Sequence, residues 1–177
     1  DARRALGRKD KRFSFEVFDC AKIPHKGCNF DLVIANHVLF YCEDIPAVCN
    51  EIQRVLVPGG KLICSTYGSH HMQEVSQLVQ DFDNRIVLSA DRLYERFGRE
   101  NGADILAPYF SDISWESYND SLLVPDTEPL ISYILSCHGN QNQYLLDKYT
   151  DFRGFVSRKT KDGFFITKDA GIFLCEK

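Results

Sequence analysis

Apolar positions change their spacing several times along the chain, and each change marks an element. Leu32-Val33-Ile34-Ala35 is an unbroken apolar run bounded by Asp31 and Asn36, the pattern of a parallel strand covered on both faces. Ile45, Val48, Ile52, Val55 and Leu56 then recur at helical spacing, so a helix lays one stripe on the sheet. Asp44 is placed to cap it and Pro46 sits in its first turn, where a missing N–H costs little. Pro58-Gly59-Gly60 stops the helix, and Lys61 to Ser65 starts the next strand. Together Phe30 to Gly68 read as one right-handed βαβ unit.

The flanking segments follow the same logic. Phe13 to Phe18 alternates apolar and polar residues, predicting a strand that ends at Asp19-Cys20-Ala21. Met72, Val75, Leu78, Val79 and Phe82 predict a helix, and Ser89 and Asp91 are candidate caps for a short one through Leu93, Tyr94 and Phe97, stopped by Gly98. Ile113 to Tyr118 alternates as a strand until Val124-Pro125-Asp126 breaks it. Further helices are expected over Leu130 to Leu135 and Tyr144 to Ser157. Phe164 to Thr167 and Ile172 to Cys175, on either side of Lys168-Asp169-Ala170-Gly171, predict a β-hairpin.

Composition narrows the function classes. At 177 residues the chain can bury a single large core. A net charge of −4 argues against a general nucleic-acid surface. The basic run Arg3, Arg4, Arg8, Lys9, Lys11, Arg12 has no stacking aromatic before Phe13, and reads as a solvated helix face. No apolar run reaches the length of a membrane span. Seven cysteines are scattered without a two-residue spacing, which fits small buried side chains in a reducing, cytoplasmic setting. His70 and His71 do not share a helix face and have no third ligand nearby in sequence, so no metal is expected. The chain opens at Asp1 in what reads as mid-helix, with Met72 its only methionine, and a fragment of a longer protein is expected.

Four pieces in order and spacing carry a family resemblance: Asp19-Cys20-Ala21 with Ile23-Pro24, Phe30-Asp31-Leu32-Val33, His37-Val38-Leu39, and the run from Glu51 through Arg54 and Pro58-Gly59-Gly60 to Leu62. Over residues 1 to 68 they resemble class I S-adenosylmethionine-dependent methyltransferases of the small-molecule kind, similar to ubiquinone and menaquinone biosynthesis enzymes. The resemblance implies S-adenosylmethionine as cofactor and a small-molecule acceptor. It puts the Asp19 carboxylate on the adenine amino group, the Cys20 backbone N–H on a ring nitrogen, and Asn36 and His37 near the methionine end. It also implies an α/β, Rossmann-like sheet without its first two strands. In that scheme residues 1–70 form a partial core and 71–160 a mostly helical cap holding one sheet strand near 113–119. Residues 161–177 then complete the sheet as part of an antiparallel C-terminal strand pair.

The family's glycine-rich cofactor loop and the acidic residue closing its second strand have no counterpart here. The family order places the first two strands between those at Phe13 to Phe18 and Asp31 to Ala35, leaving a gap whose ladder groups need partners. Upstream sequence, a second chain or a homo-oligomer could fill it, and these 177 residues alone are expected to bind the cofactor poorly and to be inactive. His37, Tyr67, His70 and His71 are general-base candidates, and Tyr41, Tyr67, Trp115 and Tyr118 could line an acceptor pocket; no catalytic base is assigned. Two other readings stay open. One is a non-catalytic binding module on the same fold. The other is a nicotinamide-dependent enzyme, disfavoured because no Tyr-x-x-x-Lys pair follows the strand at Leu62.

Overall fold

The structure, a computed structural model, describes residues 12–89 and 92–177. Most of the basic run and the Asp91 cap lie outside the described residues. Four strands, β1 (Phe30–Asn36), β2 (Leu56–Tyr67), β3 (Ser111–Val124) and β4 (Phe164–Glu176), form one sheet in the order β1-β2-β4-β3. β1 and β2 are parallel, and β4 runs antiparallel to both its neighbours.

The parallel pair is joined by α1 (Ile45–Val55). Its start follows from the sequence: the Asp44 side chain accepts from Ala47 N, and Pro46 lies where no donor is missed. Ile45, Val48, Cys49, Ile52 and Val55 are all buried, and each large apolar side chain on that stripe stabilises the fold by about 1.5–3 kcal/mol. The expected turn at Pro58-Gly59-Gly60 is instead an irregularity inside β2. Phe30 pairs with Leu56 and Leu32 with Lys61, so the residues between bulge out, helped by Gly59 at φ +74°. Gly59 N donates to Lys177 O and Lys177 N donates to Gly60 O, which pins the chain's end to this bulge.

Beyond β2 come α2 (Gln73–Phe82), α3 (Leu93–Arg96) and α4 (Gly102–Leu106), and β3 and β4 are linked by α5 (Thr127–Ser136), α6 (Gln141–Leu145) and α7 (Tyr149–Lys159). Two apolar cores result. One gathers Phe40, Ile52, Leu62, Phe97, Leu106 and Phe173 around α1 and the sheet. The other gathers Val75, Leu78, Ile131, Ile134, Phe152 and Ile166 among α2, α5, α7 and the start of β4. Residues 71–160 supply side chains to both. No helix among the described residues is long and apolar enough to cross a membrane.

Four local expectations are corrected. Phe13 to Phe18 forms no strand and leaves Val17 fully exposed, because a strand needs a ladder partner and none lies beside it among the described residues. β1 is an edge strand, with Leu32 46% and Ile34 56% exposed, so only one of its faces is covered. Arg92, which makes no side-chain capping hydrogen bond, precedes α3, and Ser89 does not cap it. The predicted hairpin at Lys168-Gly171 is absent: β4 runs straight through, because Lys168 to Gly171 pair with Asp120 to Ser117 on β3. The antiparallel pair is therefore β3 with β4.

Asp44→Ala is expected to lower stability by about 1 kcal/mol, the usual worth of an N-cap. Phe173→Ala should cost about 3–5 kcal/mol, since its ring packs on Phe97 and Trp115 at centroid distances of 5.9 and 4.7 Å. Urea unfolding with unchanged m-value reads both.

Candidate functional site

The parallel strands β1 and β2 end side by side, and their last residues are tied together. The His37 backbone N–H donates to Ser65 Oγ at 3.0 Å, and Ser65 Oγ lies 3.5 Å from Asn36 Oδ1. His37 takes a left-handed conformation, φ +49°, so the chain turns sharply off the sheet. A short 3-10 turn, Leu39–Tyr41, follows and buries Leu39 and Phe40. In an open α/β sheet this carboxyl edge is where ligands are held.

Asp19 and Cys20 are brought to the same edge by side-chain contacts. The Cys20 thiol lies 3.5 Å from the Cys42 thiol, which in turn reaches Val38 O at 3.5 Å. Burial, reinforced by the Cys20 contact, pushes the Cys42 thiol up to about 12. One Asp19 carboxylate oxygen accepts from Ala21 N at 2.9 Å, closing a tight turn. A carboxylate has further acceptor capacity beyond that single bond. The loop that follows is held by α1: Ile23 N donates to Glu51 Oε2, and the Arg54 guanidinium donates to the carbonyls of Ile23 and His25. Arg54 also forks onto Glu51, and its hydrogen bond is the main reason the Glu51 carboxyl sits below the usual range. The Glu51-to-Arg54 stretch of the sequence motif thus clamps the loop behind Asp19 and Cys20.

Tyr67 closes β2 and is half-buried. Its ring packs on Phe40 at 5.5 Å, His71 at 5.1 Å and Tyr94 at 6.3 Å. Burial raises its hydroxyl's pKa, and the phenols of Tyr41 and Tyr94 add to that. Hollows open around Tyr67 and His71. One of about 460 Å³ is lined by Tyr41, Tyr67, Leu88, Leu93, Tyr133 and His138. Another of about 420 Å³ is lined by His37, Ser65, His71, Tyr118 and Lys168. Two more of about 290 Å³ each run along α2 past Tyr67 and His71.

Of the expected pocket aromatics, Tyr41, Tyr67 and Tyr118 line hollows, whereas Trp115 packs in the core against Phe173. His70 is exposed. It belongs with Glu100 and Asp169 to a group whose ligand-type atoms lie within 4.8 Å of one another. Arg99 donates to Asp169 Oδ1 at 2.7 Å, and Ser69 donates to Glu100 through both N and Oγ. We assign this group as a polar network that fastens the loop after β2. Sequence reasoning missed Tyr133 and Leu88. Tyr133 had a signal, since it lies off the buried stripe Leu130, Ile131, Ile134 of α5. Leu88 had none, as its segment carries no periodicity.

Comparison with known proteins finds similarity to methyltransferases. Residues 1–64 match the family model described as a methyltransferase domain. A malonyl-[acyl-carrier protein] O-methyltransferase of Methylovorus sp. (strain MP688) is 31% identical over 71 residues, which is 40% of this chain and 24% of that protein. The chain spans well under half the length of the curated relatives it matches. A crystal structure of a methyltransferase-like protein from Bacillus halodurans C-125 superposes with a TM-score of 0.53 at 11% identity, over 90% of this chain and 69% of that one. Phosphoethanolamine N-methyltransferase 2 of Haemonchus contortus, solved with phosphomonomethylethanolamine and S-adenosylhomocysteine, gives 0.51 at 20% identity, over 98% and 39%. Residues 1–64 are thus similar to a methyltransferase domain, and the chain shares its fold with these methyltransferase structures.

Proposed function

We propose that the chain serves S-adenosylmethionine-dependent methyl transfer to a small-molecule acceptor. The observation that carries this reading is the meeting, at one sheet edge, of the Asp19-Cys20 turn, the Asn36-His37 strand end and a set of hollows large enough for an acceptor. That edge lies within or beside the segment matched to a methyltransferase domain. When bound, the sulfonium cofactor supplies the reactive methyl group.

The chain's own residues supply position and exclusion of water. Asp19 offers carboxylate lone pairs to an exocyclic amine, and the Cys20 amide offers a donor to a ring acceptor. Both sit on a turn held by Glu51 and Arg54, so their placement does not depend on the ligand. Asn36 and His37, locked through Ser65, form the wall between that turn and the hollow containing His71. Tyr41, Tyr67 and Tyr133 provide a largely aromatic lining on which an acceptor can be oriented. β1 leaves Leu32 and Ile34 open on its flank, and we propose that further chain, of this protein or a partner subunit, packs there to complete the cofactor cradle.

In the full-length protein, Asp19→Ala is expected to weaken S-adenosylmethionine binding by about 1–3 kcal/mol, the range for losing a buried polar contact. Calorimetric titration measures it, and an unchanged dissociation constant would remove Asp19 from the site. Titration of the 177 residues alone should show much weaker binding; micromolar affinity there would mean that no further chain is needed.

A further inference from the structure

Among the described residues, three buried side-chain polar atoms lack a hydrogen-bond partner: His71 Nδ1, Gln141 Oε1 and Asp169 Oδ2. Gln141 lies in the cap, where its amide nitrogen is engaged by the Cys137 carbonyl. The other two belong to residues fastened to the same turn: His71 N donates to Gly68 O, and Gly68 N donates to Asp169 O. An unpaired buried polar atom costs about 1–3 kcal/mol. Here one of the pair can donate and the other can only accept, which makes their joint placement informative.

His71 sits between β2 and α2, its backbone N–H bound to Gly68 O. Its ring is tilted against Tyr67 and borders three of the four hollows. Asp169 comes from the middle of β4, with its side chain only 10% exposed. Arg99 holds Oδ1, and Asp169 O accepts from Gly68 N at 2.9 Å, so β4 is fastened to the same loop as His71. The charged and titratable groups around His71 are Tyr67 from β2, His37 beyond β1, and Lys168 and Asp169 from β4; Glu74 on α2 is engaged by Thr167. Burial is the largest influence and lowers the His71 pKa. Asp169 opposes it, while His37 and Lys168 add to it, and the balance lies below the ordinary histidine range. His71 is therefore neutral at pH 7, with one ring nitrogen free to accept a proton. His70 Nδ1 lies 3.9 Å from the same Asp169 oxygen but is 67% exposed, and solvent weakens that competing contact.

We propose that His71 is the proton acceptor in methyl transfer and Asp169 its positioning residue: Asp169 Oδ2 accepts from His71 Nδ1–H through one bridging water, and this tautomer turns the Nε2 lone pair to the hollow. The inference rests on the methyl-transfer reading and narrows its acceptor to one whose nucleophilic atom carries a proton, a hydroxyl or an amine. The new bond joins that oxygen or nitrogen to the methyl carbon while the carbon–sulfur bond breaks and its electron pair stays on sulfur. The proton leaves the acceptor for His71 Nε2 and passes to solvent. Asp169 steadies the imidazolium that forms in between.

Imidazole ¹⁵N NMR of the full-length protein without cofactor tests the pair. The Nδ1–H tautomer is expected for His71, with a titration midpoint below the usual histidine value. Asp169→Asn should shift the population toward Nε2–H and move the midpoint lower still, since the attractive charge is gone; His70→Asn should change neither. An Nε2–H tautomer in the wild type overturns the pairing even if the Asp169 variant does not fold, as does a folded variant with an unchanged tautomer. Release of S-adenosylhomocysteine with 4-nitrocatechol, ethanolamine or malonate as probe acceptors tests the proton transfer. With the catechol or the amine, His71→Gln should lower kcat by about 100-fold or more, with KM for S-adenosylmethionine unchanged. A wild-type kcat in that variant, or turnover of malonate alone, overturns the base role. Calorimetry showing no S-adenosylmethionine binding would defeat the methyl-transfer reading itself, a result distinct from either failure.

Discussion

The double pairing of β4 is the constraint on which the rest of the molecule hangs. One strand satisfies ladder groups toward β2 on one side and β3 on the other, and its two ends enter different apolar cores. Ile166 packs among α2, α5 and α7, whereas Phe173 and Cys175 pack between α1 and the sheet. The middle of the strand, Lys168 to Gly171, lies beneath the hollows at the carboxyl edge of β1 and β2. A break there would separate the helices around the hollows from the floor they cover. Thr66 adds a second tie, donating from Oγ1 to Phe97 O inside the protein, so the end of β2 and the segment around α3 move as one.

The features legible in the sequence were those fixed by local chemistry. The stripe and cap of α1 follow from Asp44, Pro46 and five apolar positions that need only one sheet face to make sense. The features that were not legible depended on a neighbour. Phe13 to Phe18 has the alternation of a strand but no ladder to join, and alternation alone does not supply one. Lys168-Asp169-Ala170-Gly171 has the composition of a turn, yet pairing with β3 gives its backbone groups partners that a turn would leave to water. Leu32 and Ile34 read as doubly buried because an apolar run says how much surface wants cover, not which elements provide it.

The candidate site divides in the same way. Asp19, Cys20, Asn36 and His37 were named through the family resemblance, which assigns cofactor contacts to those positions, and the structure adds what holds them: the Cys20–Cys42 contact, the Ser65 bridge and the Glu51–Arg54 clamp. Asp169 could not be named, since it reaches the site from nearly one hundred residues away in sequence, through a register that no single segment encodes. His71 was one of four candidates in the sequence, where His37 was the best placed; burial beside Tyr67 is what distinguishes it from the exposed His70.

Charge placement gives the site a coherent electrostatic logic. None of the residues lining the four hollows is a carboxylate. The acidic groups stand one layer behind, each held by a donor: Asp169 by Arg99, Glu100 by Ser69 and Glu74 by Thr167. Burial works to raise Glu74 and Glu100, but those hydrogen bonds outweigh it and keep both carboxyls below their usual range. Such an arrangement keeps carboxylates out of the space where an acceptor would lie, and the cations that border it, Arg92 and Lys168, are paired with Glu95 and Asp120, so that space can shed water without stranding an unpaired ion. Reaction with a sulfonium group disperses positive charge, so a lining of phenols and a neutral imidazole can accommodate it without holding the ground state in a tight ion pair. The charge that matters then acts from behind the lining, and His71, which borders three of these hollows, is a lining residue on which Asp169 acts.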